Sequence, residues 1–568
     1  MTRHFIRRFA TVPALAAVLL LAACDDGDSE PGIPQLSAAT GASLTSCTAL
    51  PTGFSFANTT ISSAEVVASG GLSYAGAPLA EHCVVKGEMY RRTSTIDGNS
   101  YAIGFEMRMP KAWNGRFFYQ ANGGSDGVVW PAIGSQPGPQ LSVALAQGFA
   151  VISSDAGHAG QGNLAFGVDV QARLDYGYQA VAKLTPMAKA LIASAYGKGP
   201  DRSYIGGCSN GGRHTFVAMT RMADQYDGYL AGAPGYRLPL AAIANQFGAK
   251  QYATVATDPA DLSTGFTAAE RAMVSAKVLA KCDALDGATD GMVQDTAACQ
   301  AAFDFARDVP TCTGARDGTC LSAAQKTAIA PIFSGAVDAA GNKFYASFPF
   351  DTGHNAADSS FWEFFVSTVI DPGATAQIWT TPPANPATLN PTTFALTTPI
   401  ATMIAGVKAT NATYTTSGLD LMQPVDATQL GTLKARGAKV MVYHGVSDPI
   451  FSVNDTETWF KGVQSANGGD ASKFSRFYRV PGMSHCGLGP STDQFDMLQS
   501  LVNWVEKGEA PQSIVAQARG AGNAAGANPD VPAGWAANRS RPLCPYPQVA
   551  RLKAGATNLE IADSFRCE

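Results

Sequence analysis

The chain has 568 residues, of which 46% are hydrophobic and 15% are charged, so its composition is globular and excludes an intrinsically disordered polymer. Its formal net charge of −5 at pH 7 offers no basic surface for phosphate groups, which argues against nucleic acid as a partner. The 58 glycines and 33 prolines follow no collagen-like period and predict many turns and irregular loops.

The first 24 residues have the pattern of an export signal. Arginines precede an apolar run over residues 9–23, and Leu21-Ala22-Ala23-Cys24 resembles a bacterial lipobox. This predicts lipid on Cys24, followed by a polar linker over residues 25–44; cleavage near Ala23 without lipid is the alternative. Either interpretation predicts an exported protein, secreted or held in the periplasm or at the cell surface. A lipid on Cys24 would be its only contact with a membrane.

Two parts of the chain alternate short apolar strands with helices, as in α/β proteins. The predicted elements are, in chain order, strands at residues 117–120 and 148–153, a helix at 176–196, strands at 203–206, 439–443 and 474–480, and a helix at 495–508. The intervening section is helical and then rich in Pro, Thr and Asn, without this rhythm. The pattern predicts one α/β core, made of residues 45–236 and 429–568, with an inserted lid domain at residues 237–428.

The strongest local signal is the motif Gly207-Cys208-Ser209-Asn210-Gly211, between a predicted strand and a predicted helix. A strand, a tight turn and a helix are the setting of a nucleophile elbow, in which small flanking residues let the backbone push the serine hydroxyl into the site. An ordinary glycine-rich turn is the alternative. We predict that Ser209 is a catalytic nucleophile.

A serine nucleophile needs a histidine base and a carboxylate that orients it, and in this fold they follow in the order Ser, Asp, His. His214, His354, His444 and His485 all lie after Ser209. His485 has the most suitable setting, in a loop that follows a predicted strand. Asp448 lies in the loop at the end of the preceding predicted strand, where the acid belongs. We therefore predict His485 as the general base and acid and Asp448 as its partner; a surface histidine and an Asx turn before Pro449 are the structural alternatives.

Eleven cysteines, or ten without Cys24, suit disulfide bonds in an oxidising compartment. Cys208 immediately precedes the nucleophile and Cys486 immediately follows the base, so a bond between them would hold Ser209 near His485. Two free thiols, or Cys208 as the nucleophile, are alternatives. The close pairs that could form further bonds are Cys282 with Cys299, Cys312 with Cys320, and Cys544 with Cys567.

The motif at residues 207–212, Asp448 and His485-Cys486 together resemble the tannase and feruloyl esterase family. Further similar segments are Trp113-Asn114-Gly115-Arg116-Phe117, Asn122-Gly123-Gly124, residues 226–235 and Cys544-Pro545-Tyr546-Pro547. The resemblance covers nearly the whole chain after the signal. It implies an α/β-hydrolase core with a doubly wound, mostly parallel sheet, and a lid.

The resemblance also implies specific site residues. The oxyanion hole corresponds to the backbone N–H groups of Gly124 and Asn210, where glycine permits close approach of the substrate. The implied disulfide pairs are Cys47 with Cys83, Cys208 with Cys486, Cys282 with Cys299, Cys312 with Cys320, and Cys544 with Cys567.

A glycine-punctuated acidic loop in the lid is a candidate calcium site. On the residues alone it is also typical of a solvated acidic turn. The family resemblance implies that it binds structural Ca²⁺ through the side chains of Asp283, Asp286 and Asp290 and the carbonyls of Ala288 and Met292. No organic cofactor is expected.

The substrate implied by the resemblance is a small aromatic ester of the feruloyl, galloyl or terephthalate monoester type. Phe451 and Trp379 are the predicted substrate contacts, and the lid offers further aromatics at Phe361, Trp362, Phe364 and Phe365. Residues 397–408, where the terephthalate-type members carry an arginine for a carboxylate, contain no Arg. The sequence therefore predicts a secreted serine ester hydrolase; a serine peptidase of the same fold and a non-catalytic calcium-binding surface module are the competing hypotheses.

Overall fold

The structure, a computed structural model, describes residues 32–135 and 140–568. The predicted signal, Cys24 and the first part of the predicted linker lie outside these ranges. Within them, no helix has the length and apolar character needed to cross a membrane.

Strands occur in both predicted α/β parts and in the N-terminal part of the chain. Their bounds are β1 Ala42–Ser43, β2 Thr59–Val67, β3 Ser73–Tyr74, β4 Ala77–Pro78, β5 His82–Thr93, β6 Ser100–Pro110, β7 Ala112–Trp113, β8 Arg116–Gln120, β9 Ala150–Ser154, β10 Arg202–Cys208, β11 Gly228–Gly232, β12 Lys439–Gly445, β13 Ser475–Val480, β14 Ile514–Gln517, β15 Ser540–Leu543, β16 Ala550–Leu552 and β17 Phe565–Cys567.

A nine-stranded sheet forms the centre of the molecule, in the order β13-β12-β11-β10-β8-β9-β6-β5-β2. The strands from β13 to β9 pair in parallel, whereas β9, β6, β5 and β2 pair antiparallel. The predicted, mostly parallel α/β sheet is therefore present. The antiparallel strands β2, β5 and β6 were not predicted, because their burial is interrupted by exposed polar residues and they lack the continuous apolar run of a central parallel strand.

Side chains of the central strands alternate between two apolar cores, one on each face of the sheet. Phe117 and Tyr119 of β8 lie in one core, and Phe118 lies in the other. Val440 and Val442 of β12 likewise face the first core, whereas Met441 faces the second. Both faces are covered, which explains why these strands consist of short runs of apolar residues.

Helices cover both faces of the sheet and make up most of the insertion. The α-helices are α1 Leu50–Gly53, α2 Val170–Leu174, α3 Ala180–Tyr196, α4 Asn210–Arg221, α5 Leu238–Ala253, α6 Ala268–Cys282, α7 Thr296–Ala302, α8 Phe305–Asp308, α9 Ala323–Ser334, α10 Asp371–Ala374, α11 Pro391–Thr397, α12 Ile400–Lys408, α13 Gly418–Met422, α14 Gly431–Ala435, α15 Val453–Ala466 and α16 Met497–Lys507. Short 3₁₀ helices lie at Ala165–Val168, Leu262–Gly265, Asp283–Asp286 and Ala562–Ser564, and π-helical turns lie at Asp175–Gln179, Phe361–Ile370 and Thr375–Trp379.

The chain between β11 and β12 carries a separate apolar core. Buried residues of this core run from Ala249 to Phe364 and include the half-cystines Cys282 and Cys299. Next to this core, π-helical turns flank α10 in one continuous helical segment over residues 361–379, which we call the cavity helix. The cavity helix packs against α5 and reaches the carboxyl ends of the parallel strands.

The structure contains the disulfide pairs that the family resemblance implies. They are Cys47–Cys83, Cys208–Cys486, Cys282–Cys299, Cys312–Cys320 and Cys544–Cys567. Together they use every cysteine after Cys24.

Candidate active site

Ser209 occupies the sharp turn between β10 and α4. Its backbone has φ 64° and ψ −128°, a conformation that L-residues rarely adopt. The segment that follows β8 packs so closely against this turn that a Cβ atom on Gly207 or Gly211 would clash with the carbonyl oxygen of Ala121. The small residues of the motif are therefore required by packing, and the turn places Ser209 at the wall of a cavity.

Asp448 and His485 form a short hydrogen bond at the end of the neighbouring strands. His485 Nδ1 lies 2.7 Å from Asp448 Oδ2, and the backbone N–H groups of Ile450 and Phe451 donate to Asp448 Oδ1 at 2.9 and 3.0 Å. Burial of Asp448 opposes ionisation, but the electrostatic interaction with His485 and the hydrogen bonds from His444 and His485 outweigh it and hold the pKa of Asp448 well below its usual range. An ionised Asp448 favours the His485 tautomer that carries its proton on Nδ1, which leaves Nε2 as an acceptor.

The acceptor nitrogen of His485 is the atom that a serine base requires. Within the described ranges, His485 Nε2 has no hydrogen-bond partner. His485 and Ser209 line the same cavity, and the disulfide between Cys208 and Cys486 joins their chain neighbours with a Cα–Cα distance of 6.1 Å. The structure thus brings together the three residues that the sequence analysis selected.

The other candidate histidines lie elsewhere. His444 is behind the acid, with Nε2 3.1 Å from Asp448 Oδ2 and Nδ1 2.8 Å from Thr456 Oγ1. His214 pairs with Asp126 in the interior, and His354 packs edge-on against the ring of Phe333. The contact of His444 with the acid was not predicted, although its position four residues before Asp448, directly after the strand predicted at residues 439–443, was a usable signal.

Gly124 and Asn210 line the cavity beside Ser209. Asn210 is the first residue of α4, so its backbone N–H has no partner within the helix. Its side chain donates to Asp126 Oδ2 at 2.8 Å and accepts from Arg213 Nε at 2.7 Å, which leaves the backbone N–H as the group available to a ligand. Gly124 adopts φ +64°, the left-handed region that favours glycine.

A buried polar network supports this end of α4. Arg213 is fully buried; it stacks on Tyr176 and donates to the carbonyl oxygen of Gly177 at 2.5 Å. Asp126 joins Asn210 to His214, which lies 2.8 Å from the carboxylate. The sequence analysis missed this network, since its members come from separate segments and share no motif.

The cavity beside the triad has a volume of about 600 Å³ and is lined mainly by apolar side chains. The rings of Trp362 and Phe451 stand edge-on to the His485 ring, with centroid distances of 4.5 and 5.2 Å. Trp379 also lines the cavity. Both predicted substrate contacts, Phe451 and Trp379, are therefore cavity residues.

The aromatic residues predicted for the lid lie in three environments. Phe361 and Trp362 line the cavity, whereas Phe364 packs on Tyr252 in the core of the insertion at a centroid distance of 5.0 Å. Phe365 is exposed and stacks on Phe361. The sequence could not separate these roles, because the helical spacing alone does not specify which face meets the cavity.

Charged groups also line the cavity. Residues 397–408 are not among its described lining residues, but Arg519 contributes from the C-terminal part of the core. The Arg519 guanidinium donates to Asp493 Oδ2 at 2.6 Å and to the carbonyl oxygen of Gly526 at 2.7 Å, so its charge is already compensated. Asp371, on the cavity helix, is the acidic counterpart among the described lining residues.

The acidic loop of the insertion has its carboxylates turned toward the protein. Asp283 Oδ1 accepts the backbone N–H groups of Asp290 and Gly291, each at 3.0 Å, and Asp290 pairs with Arg541. Burial and the charges of Asp290 and Asp283 raise the pKa of Asp286 to about 7. In the described ranges, no group of three acidic, His or Cys side chains is arranged to hold a metal ion.

Comparisons with known proteins agree on one family. A model of the family described as tannase and feruloyl esterase matches residues 83–568. The chain is 38% identical over 533 residues to mono(2-hydroxyethyl) terephthalate hydrolase from Piscinibacter sakaiensis, which covers 86% of this chain and 85% of that protein. It is 28% identical to a probable feruloyl esterase B-1 from Neosartorya fischeri, with 78% and 81% of the two chains covered.

Solved structures show the same fold. Feruloyl esterase B from Aspergillus oryzae superposes with a TM-score of 0.72 at 24% identity, over 92% of this chain and 99% of that chain. Tannin acyl hydrolase from Aspergillus niger superposes with a TM-score of 0.63 at 20% identity, over 91% and 93%. At these identities the likeness establishes the α/β-hydrolase-type fold.

Proposed function

The chain belongs to the tannase and feruloyl esterase family and is a carboxylic ester hydrolase, and we propose that it cleaves aromatic esters through a Ser209–His485–Asp448 triad and an acyl-enzyme. The observation that carries this proposal is the joint position of Ser209 and the unpaired Nε2 of His485 at one apolar cavity. The same geometry serves acyl transfer on unrelated folds.

Each residue has a defined task in the proposed reaction. Ser209 Oγ attacks the ester carbonyl carbon while His485 Nε2 takes its proton, and the backbone N–H groups of Gly124 and Asn210 stabilise the oxyanion. Collapse of the tetrahedral intermediate expels the alcohol, which receives the proton from His485. Water, activated by His485, then attacks the acyl-enzyme and releases the acid. Asp448 stays ionised throughout and stabilises the imidazolium.

The apolar cavity supports an aromatic substrate. Trp362, Trp379 and Phe451 present ring surfaces within it, and flat aromatic groups pack well on such surfaces. Its volume of about 600 Å³ suits a small ester. The relatives named above act on terephthalate and feruloyl esters, which are aromatic.

A panel of aromatic esters tests this function. Purified, oxidised protein and its Ser209→Ala variant are assayed on methyl ferulate, methyl gallate, mono(2-hydroxyethyl) terephthalate and methyl benzoate. We expect wild-type turnover of at least one ester, lowered by about 10⁴-fold or more in the variant. Turnover that persists in Ser209→Ala would reject the nucleophile, and absence of turnover of every ester by folded protein would reject the aromatic esterase function.

We also propose that the acidic loop of the insertion binds a structural Ca²⁺. Its hard oxygen donors are the carboxylates of Asp283, Asp286 and Asp290 and the carbonyls of Ala288 and Met292, and the mutual repulsion of the carboxylates supports a cation there. Among the described residues these carboxylates are not gathered around a common point, so binding would require the loop to rearrange and Asp290 to share or leave its contact with Arg541. We expect Ca²⁺ to raise the melting temperature of chelator-treated protein and not that of Asp286→Asn; equal responses would reject the site.

Export and a lid role for residues 237–428 complete the proposed function. Disulfides that use all the cysteines after Cys24 support an oxidising compartment. Whether Cys24 carries lipid is tested by intact mass of membrane-extracted protein compared with Cys24→Ser. A lid is supported by the contribution of the cavity helix to the cavity wall.

A further inference from the structure

The cavity helix carries an apolar stripe that ends at an acid. Trp362, Val366 and Ile370 line the cavity at intervals of four residues, and Asp371 and Ala374 continue the lining. Asp371 is 7% exposed. An acidic side chain at this place is unusual, because burying a carboxylate in apolar surroundings is costly unless a cation or several donors compensate it.

The described residues provide little compensation for Asp371. One hydrogen bond reaches its carboxyl group, from Asn245 Nδ2 to Oδ2 at 2.8 Å, and no ion pair joins it to a described Lys or Arg. Arg519, the cation of the cavity wall, is paired with Asp493. The carboxyl group therefore retains hydrogen-bonding capacity beside the cavity, through Oδ1 in either protonation state.

Burial raises the pKa of Asp371 to about 7, against the opposing effects of the Asn245 hydrogen bond and of the electrostatic interaction with His485. Near neutral pH both the acid and the carboxylate are thus populated. A neutral hydroxyl group can donate to the carboxylate or accept from the acid, so it pairs with both forms. A substrate carboxylate has no proton to donate and is repelled by the ionised form.

We infer that Asp371 forms a subsite for a neutral hydroxyl group on the aromatic ring of the ester and disfavours rings that carry a carboxylate. This inference rests on the proposed function, whose cavity it subdivides. It also agrees with the described lining of the cavity, in which residues 397–408 provide no cation for a substrate carboxylate. Sites built to hydrogen-bond a hydroxyl reject analogues that lack it, because the buried polar group is left unpaired.

Binding to the catalytically inactive Ser209→Ala protein tests the subsite without turnover. Calorimetry at pH 7 compares methyl 4-hydroxybenzoate, methyl benzoate and monomethyl terephthalate. We expect the hydroxylated ester to bind on the order of tenfold more tightly than methyl benzoate, and the carboxylate ester to bind more weakly than both. Equal affinity for the hydroxylated and unsubstituted esters would overturn the inference.

Two substitutions added to Ser209→Ala separate hydrogen bonding from charge. Asp371→Leu is expected to bring the hydroxylated and unsubstituted esters within about twofold of each other. Asp371→Asn retains hydrogen-bonding groups but no charge, so we expect it to keep the hydroxyl preference and to gain affinity for monomethyl terephthalate. A preference for the hydroxylated ester that persists in Asp371→Leu would overturn the inference. Unchanged affinity of Asp371→Asn for monomethyl terephthalate would overturn it as well.

Glu363→Gln is the matched control. Glu363 lies on the same cavity helix and is a half-buried acid, but it pairs with Arg271 and is not among the lining residues of this cavity. The affinities for all three esters should be unchanged in this variant. If Glu363→Gln changed them as Asp371→Asn does, the effect would come from the overall charge of the helix, and the subsite would be rejected. The binding measurements need no turnover, so the two tests are independent. Inactivity on every ester would reject the proposed function, whereas equal affinities for the three esters would reject the inference.

Discussion

The two walls of the cavity are held by different kinds of interaction. The core wall, comprising Gly124, Ser209, Asn210, Phe451 and His485, is fixed by a disulfide, by backbone hydrogen bonds to Asp448 and by the polar network behind Asn210. The lid wall, comprising the lining residues of the cavity helix, presents mainly apolar contacts. Directional bonds fix atomic positions, whereas apolar packing fixes shape and tolerates substitution, so the core wall suits the reaction and the lid wall suits choice of substrate.

The same Asp→Asn change on each wall gives the largest contrast. Asp448→Asn removes the charge that fixes the His485 tautomer, and we expect kcat to fall by about 10³- to 10⁴-fold. Asp371→Asn, on the lid wall, should change kcat for a small ester such as 4-nitrophenyl acetate by less than tenfold. Steady-state kinetics of both variants check this, and a comparable loss in both would abolish the distinction between the walls.

Two of the disulfide bonds should contribute differently to the stability of the fold. Cys208 and Cys486 are 278 residues apart, whereas Cys312 and Cys320, in the insertion, are 8 apart. Loop-closure entropy predicts losses of about 5 and about 2 kcal/mol when each pair is replaced by serines. Urea unfolding measures both losses.

Activity of the folded variants should separate the two pairs as well. Loss of the Cys208–Cys486 bond should also lower kcat, since it frees the segments that carry Ser209 and His485. The variant without Cys312–Cys320 should keep its kcat. Equal activities would show that the first bond does not position the site.

His444 supports the core wall through its contact with Asp448. Its Nε2 lies 3.1 Å from Asp448 Oδ2, the oxygen that His485 also contacts, and 2.9 Å from the carbonyl oxygen of Phe451. His444 is not among the described lining residues of the cavity. We expect His444→Gln, which keeps one donor, to lower kcat by roughly tenfold with little change in KM. A rise in KM alone would place the effect in substrate binding and contradict this role.

A lid-wall aromatic should show the opposite kinetic pattern. Trp379→Leu removes ring surface that lines the cavity, and we expect KM for aromatic esters to rise about fivefold or more with kcat nearly unchanged. Hydrolysis of 4-nitrophenyl acetate serves as the control, since a short acyl group needs no aromatic surface. A loss of kcat on both substrates would show that Trp379 supports the triad.

A further difference is expected in the pH dependence of stability. The pKa of Asp371 is raised from 3.8 to about 7 in the folded protein, so its contribution to stability is full below about pH 4 and is lost as the pH rises through 7. Asp371→Asn should therefore stabilise the fold by about 4 kcal/mol more at pH 8 than at pH 4. Urea unfolding at the two pH values measures this, and an equal difference would contradict the raised pKa.

Sequence-based prediction succeeded where the signal was local. The elbow motif, the buried runs that became β8, β10 and β12, and the adjacency of Cys208 to Ser209 and of Cys486 to His485 are features of short segments. They identified the parallel sheet and the three residues now found together. Element ends shifted by a few residues; the strand predicted at residues 148–153 is Ala150–Ser154, because pairing with the neighbouring strands sets the bounds.

Features assembled from distant segments were missed. The antiparallel strands β2, β5 and β6 have mixed polar and apolar sequences and are strands because they pair with one another and with β9. The network of Asp126, Asn210, Arg213 and His214 joins a loop to a helix. Trp362 and Phe364 are both aromatic residues of one short segment, yet Trp362 contacts His485 and Phe364 packs on Tyr252.

The sequence by itself determined the α/β fold class, the elbow and the choice of Ser209, Asp448 and His485, because backbone periodicity and the chemistry of acyl transfer restrict these features within short windows. The tertiary structure alone decided which side chains share the cavity, which of the two histidines beside Asp448 reaches that cavity, and that Asp371 lacks a cation partner among the described residues. Such facts depend on distances between segments far apart in the chain, which are set by packing of the whole core.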